Sequence, residues 1–60
     1  MLVGDEVKID KDFYKECRKE RPWLPRETVW YLVSINGACL KCTIVSKEQI
    51  GIVVPERYVN

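Results

Sequence analysis

The chain has no histidine, and it has only three cysteines and three glycines. Without histidine, the usual general base near neutral pH is missing, and a cysteine nucleophile lacks its customary partner. An odd number of cysteines excludes a fully paired disulfide framework within one chain. The glycines stand singly at positions 4, 37 and 51, so no glycine-rich phosphate loop is present. We therefore expect no catalytic residues and no enzymatic activity.

Long apolar runs and a strong excess of one charge are also missing. No run approaches the ~20 apolar residues that span a bilayer, and no leader-like segment opens the chain, so we expect no membrane contact and a cytoplasmic protein with reduced thiols. Ten Lys and Arg offset nine Asp and Glu, and the formal charge of +1 is far from that of a dedicated nucleic-acid binder. With 60 residues, the chain is expected to form one domain, residues 1–60.

The first candidate strand lies near the start of the chain. Between Gly4 and Asp10, the apolar residues Val7 and Ile9 alternate with charged residues. Alternation of this kind predicts a strand with one buried face.

A long charged connection, residues 11–28, follows this strand. Within it, Asp12 is predicted to cap a short helix that carries Phe13 and Cys17 four residues apart on one face. Pro22 is expected to end this helix, because the residue before a proline is disfavoured in the helical region.

Residues 29–45 carry the clearest local signal, two β-rich runs on either side of Asn36-Gly37. This dipeptide predicts a hairpin with a two-residue type I′ turn, which fixes the register. The pairs predicted for the inner face are Ile35 with Ala38, Val33 with Leu40, Tyr31 with Cys42 and Val29 with Ile44. The pairs predicted for the more polar outer face are Ser34 with Cys39, Leu32 with Lys41 and Trp30 with Thr43. Trp30 is therefore expected on the less buried side of the sheet.

The Cys-x-x-Cys spacing of Cys39 and Cys42 is also found in zinc and redox sites. Residues three apart on one extended strand point to opposite faces, so these two thiols cannot hold one ion together. A redox pair would need a helix start, which the sequence does not offer here. We therefore expect no metal and no cofactor, with Cys42 in the core and Cys39 at the surface.

The last part of the chain predicts one more strand and a closing turn. A polar turn at residues 46–49 leads into a strand that Pro55 ends, because proline has no N–H to donate. Residues 56–58 suit one helical turn, and Val59 suits a last short strand. The predicted inner face of the strand before the proline comprises Ile50, Ile52 and Val54. Strands spaced this closely favour a small closed all-β barrel over a helical bundle.

Two segments of the chain resemble the Src-homology-3-like (SH3-like) family. Residues 51–59, Gly-Ile-Val-Val-Pro-Glu-Arg-Tyr-Val, resemble the closing signature of these domains, a strand, a proline, a one-turn helix and a Tyr-Val pair. Residues 4–9, Gly-Asp-Glu-Val-Lys-Ile, look like their opening strand. The resemblance implies an SH3-like five-stranded small barrel with a long loop, containing the short helix, between strands 1 and 2.

Peptide-binding members of this family line a groove for polyproline ligands with a Trp, a Pro and a Tyr. Trp30, Pro55 and Tyr58 match these three positions, so the resemblance implies a protein-binding surface there. The chain departs from the pattern in two respects. It lacks the Ala-Leu-Tyr-Asp-Tyr type of opening, and its long loop is more basic than acidic.

The proline-rich part of the loop, residues 21–26, has two interpretations. Its Pro-x-x-Pro spacing with flanking arginines is one that SH3 domains recognise as a ligand, which predicts self-association. The favoured alternative is that the prolines stiffen the loop while Trp23 and Leu24 fold back as a lid on the barrel.

The long loop also carries a local excess of positive charge. The stretch from residue 15 to residue 26 contains Glu16 and Glu20 against five cations, Lys15, Arg18, Lys19, Arg21 and Arg26. They lie close in sequence to Tyr14 and Trp23, and small barrels bind nucleic acid by combining cations with aromatic platforms. The sequence therefore predicts a small non-catalytic module that binds another protein or peptide through Trp30, Pro55, Tyr58 and the loop aromatics. The alternative is a weak nucleic-acid-binding barrel that uses the basic residues between 15 and 26.

Overall fold

The chain folds into an antiparallel sheet of four short strands with one α-helix before the second strand. A computed structural model describes residues 2–60. Its elements are β1 (Glu6–Val7), α1 (Lys11–Glu20), β2 (Trp30–Asn36), β3 (Lys41–Ser46), β4 (Gly51–Pro55) and a 3-10 helix (Glu56–Tyr58). The sheet is open, and its strands lie in sequence order, β1-β2-β3-β4.

The fifth strand expected at Val59 is reduced to an isolated bridge to Ile9. Beside the bridge, Lys8 and Asn60 exchange two backbone hydrogen bonds, of 3.2 Å from the Lys8 N–H and 2.9 Å from the Asn60 N–H. The last two residues of the chain therefore lie beside residues 8 and 9, directly after β1.

The first strand is shorter than its sequence pattern predicts. It covers only Glu6–Val7, because the chain turns tightly just before it and enters α1 just after it. Gly4 takes a φ of 94°, and the Asp5 N–H donates to the Leu2 carbonyl at 3.0 Å. The predicted facing is nevertheless confirmed, since Val7 is buried and Ile9 is packed against the core.

Helix α1 replaces most of the loop that the sequence suggested, and its cap differs from the expected one. Asp10, two residues before Asp12, caps the helix, because its Oδ2 accepts a hydrogen bond from the Phe13 N–H at 3.0 Å. The predicted face is confirmed, with Cys17 buried and Phe13 partly buried. The helix ends at Glu20, before the proline, as expected.

The two aspartates at this helix start make a matched pair for mutation. We expect Asp10→Ala to destabilise the protein by about 1 kcal/mol, the usual effect of losing a cap. Asp12→Ala should cost only a few tenths, because Asp12 merely interacts with the helix dipole in the first turn. Urea unfolding of both variants measures the difference, and equal losses would contradict the cap assignment.

The predicted reversal at Asn36-Gly37 is confirmed, but the turn is not the two-residue type I′ turn. Residues 37–40 form a four-residue connection, and the last pair of the ladder is Asn36 with Lys41. The Asn36 Oδ1 accepts hydrogen bonds from the amides of Ala38 (3.1 Å) and Cys39 (3.3 Å). Such an asparagine cap holds a longer turn, in which Leu40, with a φ of 53°, takes the left-handed position.

The longer turn changes the register of the hairpin. Ile35 pairs with Cys42 instead of Ala38, and none of the seven predicted pairs, four on the inner face and three on the outer face, is present in the ladder. Farther along the ladder the register shifts by one residue between Leu32 and Ser34, which makes Val33 the extra residue of a β-bulge. Because side chains alternate along a strand, this bulge reverses the facing of everything before it.

As a result, Trp30 and Leu32 point into the core and Tyr31 points out. Trp30 is only 4% exposed, whereas the sequence placed it on the outer side. On β3, Cys42 and Ile44 face inward as predicted.

The remaining turn and strand agree with the sequence. The polar turn after Ser46 is held by the Ser46 hydroxyl oxygen, which accepts a hydrogen bond from the Ile50 N–H at 3.0 Å. On β4 the predicted inner face is confirmed, with Ile52 and Val54 buried and Ile50 packed against them. The one-turn helix at residues 56–58 is present.

The hydrophobic core lies between the inner face of the sheet, α1 and the loop that follows the helix. Its buried members are Val7, Cys17, Leu24, Trp30, Leu32, Cys42, Ile44, Ile52 and Val54. Each fully buried aliphatic side chain contributes roughly 1.5–3 kcal/mol. Leu24 covers the core as the predicted lid, but Trp23 is 64% exposed and does not fold back.

The two tryptophans report this arrangement separately. In Trp23→Phe, the remaining Trp30 should emit at short wavelength and resist quenching by iodide, because it is buried. In Trp30→Phe, measured where the variant is still folded, Trp23 should emit at long wavelength and be quenched readily. Equal quenching of the two would show that the hairpin register described above is wrong.

Candidate functional site

The three residues that the family resemblance assigns to a groove do not form one in this structure. Trp30 is in the core, where its ring meets that of Tyr14 edge-on at 6.0 Å. Tyr58 is stacked on Phe13 at 4.2 Å, and the Arg57 guanidinium lies 4.8 Å from its centroid. Pro55 ends β4 beside Lys41. The aromatic faces are therefore occupied by other parts of the chain.

The outward side of the sheet offers a different surface, which we call the outer face. Cross-strand pairing places Tyr31 beside Val45 and Thr43 beside Val53. The outer face comprises Tyr31, Ser34, Thr43, Val45, Gly51 and Val53, together with the exposed Val33 at the bulge. Tyr31 is 38% exposed, Val33 45% and Val53 59%. Contiguous apolar residues at this exposure are characteristic of interaction sites.

A signal for the outer face was present in the sequence. Residues 29–33, Val-Trp-Tyr-Leu-Val, are apolar at every position and do not alternate. A continuous apolar run is typical of a strand that is covered on both faces. In the predicted hairpin, this strand instead had one polar and one apolar side.

A cleft of about 510 Å³ opens where the connection after α1 passes the outer face. Its lining residues are Arg21, Trp23, Thr43, Gly51, Ile52 and Val53. A side chain at Gly51 would meet only the Ile44 carbonyl oxygen, 3.9 Å from a Cβ, so packing does not require glycine there. A glycine in a strand often marks the close approach of a ligand or another backbone.

The free edge of β4 borders this cleft. The Ser46 N–H donates to the Ile50 carbonyl, and the Glu56 N–H donates to the Leu40 carbonyl, both at 2.8 Å. These two hydrogen bonds show which residues along β4 point their backbone N–H and C=O groups towards β3. By antiparallel alternation, the N–H and C=O groups of Gly51 and Val53 point away from β3. Within residues 2–60, no backbone partner pairs with this edge.

A second cleft, of about 380 Å³, lies on the opposite flank of α1. Its lining residues are Lys11, Tyr14, Lys15, Arg18, Arg26 and Glu27. The Tyr14 hydroxyl donates to the Pro25 carbonyl, and the Arg18 Nε–H donates to the Leu24 carbonyl at 3.3 Å. Burial raises the pKa of Tyr14 above its ordinary value, so this phenol remains a donor at neutral pH.

The structure divides the basic cluster that the sequence treated as one. Lys15, Arg18 and Arg26 share the second cleft, and Lys11 joins them there, which the sequence analysis missed. The sequence signal for Lys11 was its spacing. Lys15 follows it by four residues and Arg18 follows Lys15 by three, which places all three side chains on one face of a helix. Lys19 instead pairs with a carboxylate oxygen of Glu16 at 3.0 Å, and Arg21 lines the cleft at the outer face.

The cysteines lie as the sequence predicted, with Cys42 fully buried and Cys39 exposed in the hairpin turn. Burial, and secondarily the negative charge of Glu56, raises the pKa of the Cys42 thiol. Cys17 is buried on α1. In the described part of the chain, no group of three or more His, Cys, Asp or Glu side chains is placed to hold a metal ion.

This difference in burial predicts selective thiol chemistry. Under native conditions iodoacetamide should add once, at Cys39, whereas after unfolding it should add at all three cysteines. Mass spectrometry of the intact protein counts the adducts, and Cys39→Ser is the control that should take up none while folded. Rapid native labelling of Cys42 would contradict the described core.

Comparison of the chain with protein-family models, curated proteins and solved structures finds no match. Among residues 2–60, no helix has the length and apolar character needed to cross a membrane.

Proposed function

We propose that this chain is a non-catalytic protein-interaction module on an SH3-like barrel, and that it binds an extended segment of a partner protein along β4. The barrel is supported by the paired chain ends. Val59 follows the one-turn helix and bridges to Ile9, as a fifth strand closing the barrel would.

The observation that carries the function is the free edge of β4 beside an exposed tryptophan. Unpaired N–H and C=O groups at Gly51 and Val53 match the backbone of an added antiparallel strand. The Trp23 side chain is 64% exposed and lines the same cleft. It is therefore suited to cover an apolar side chain of that strand. Aromatic anchors of this kind account for much of the binding energy at protein interfaces.

A non-catalytic role is supported by the tasks that the acidic side chains already have. Asp10 caps α1, and the Asp5 carboxylate accepts the Leu2 N–H at 2.8 Å. With no histidine in the chain, the usual proton-transfer group near neutral pH is missing as well.

The proposal is tested with peptides selected from a displayed random library and titrated into the labelled protein. The amide signals of Gly51 and Val53 and the indole signal of Trp23 should shift, and the two amides should become protected from exchange. Trp23→Ala should weaken binding by roughly tenfold or more, the range of an interface hot spot.

Val53→Lys and Leu40→Lys make the matched comparison, because both replace an exposed apolar residue, 59% and 65% exposed, with the same cation. Only the variant on β4 should lose peptide binding, and both should keep wild-type stability within about 0.5 kcal/mol. Selected peptides that bind both variants equally, or that shift signals elsewhere, would refute binding at this edge.

A further inference from the structure

Three of the cations on α1 form one row. Lys11, Lys15 and Arg18 are separated by four and three residues, so their side chains share one face of the helix. With a rise of about 1.5 Å per residue, the row extends for about 10 Å.

Arg26 is brought to this row by the loop that follows the helix. The hydrogen bonds from Tyr14 to Pro25 and from Arg18 to Leu24 fasten the loop against α1 immediately before Arg26. Arg26 therefore lines the same cleft as the three helical cations.

Within residues 2–60, these four cations have no ionic partner. The single ion pair in this part of the chain joins Lys19 to Glu16, and neither of these residues lines the cleft. Glu27 is the only carboxylate among the residues that line the cleft. The adjoining cleft, which shares Lys11, Arg26 and Glu27, adds the carboxylate of Glu6 together with the cation of Lys8. Cations crowded together repel one another, and this repulsion is relieved when an anion binds between them.

We propose that this basic cleft binds the phosphate backbone of a nucleic acid. A row about 10 Å long has room for more than one phosphate group. Arginine and lysine are the usual phosphate ligands, the former through its planar fork and the latter as a point charge. The Tyr14 hydroxyl is engaged by the loop, so recognition is of the backbone and independent of base sequence.

The chain supplies its own matched control for this site. Lys15→Gln with Arg26→Gln removes one lysine and one arginine from the cleft. Lys19→Gln with Arg21→Gln removes the same residue types and the same charge from the same segment, but outside the cleft. Circular dichroism checks that both double variants are folded.

Binding is measured by fluorescence anisotropy with a labelled mixed-sequence DNA strand of about 10 nucleotides. For four neutralised phosphates, the logarithm of the binding constant should fall with the logarithm of salt concentration at a slope of about −2.8. The cleft double variant should bind at least about tenfold more weakly at about 50 mM salt, with a slope near −1.4. The control double variant should stay within about threefold of the wild type and keep the wild-type slope.

Equal losses in the two double variants would overturn the site, because net charge alone would then explain the binding. Absence of wild-type binding at low salt would overturn the proposal. If a polyglutamate peptide binds as tightly as the DNA strand, the cleft recognises acidic protein and the assignment to nucleic acid is wrong. Trp23→Ala should leave DNA binding unchanged, so this proposal and the one for the β4 edge fail independently.

Discussion

The β-bulge at Val33 decides which side chains form the core and which form the surface. Before the bulge, Trp30 and Leu32 point inward, and after it Ile35 lies on the same side as its partner Cys42. A regular ladder would send one of these two sets to the outer side, since a shift of one residue reverses the facing of every side chain. With the bulge in place, Trp30 becomes the largest buried side chain on β2, and Tyr31 is left to form the outer face.

Asp10 connects the sheet to the helix in a similar way. Its side chain caps α1 while its backbone N–H donates to the Tyr58 carbonyl at 2.8 Å. The start of the helix is thereby fixed to the closing segment of the chain. This junction aims Cys17 at the core, and the same rotation turns Lys15 away from it. The outer face is thus a consequence of the bulge, and the position of the basic cleft is a consequence of this junction.

The sequence predicted the features that depend on local pattern and missed those that depend on contacts between distant segments. Alternation identified the inner face of β4, and Pro22 marked the end of the helix. The turn after Asn36 was assigned from the Asn-Gly pair, but the asparagine side chain accepts two amides and holds a longer loop. No local signal distinguishes a regular strand from one with an extra residue at Val33, since the bulge follows from packing Trp30 and Cys42 into one core. The position of Trp30 and the loss of the expected groove both follow from this.

Two residues at the outer cleft are poorly explained by folding alone. Glycine within a strand typically costs about 0.5–1 kcal/mol relative to alanine, yet a Cβ at Gly51 would make only one ordinary contact, 3.9 Å from the Ile44 carbonyl oxygen. Trp23 remains largely in water next to it, although a protein of this size gains little stability from its small core. A domain with only a few kcal/mol of net stability has little to spare for such features. An incoming strand beside β4 would use both, because it would pair with the backbone of Gly51, which no side chain shields, and contact the apolar ring of Trp23.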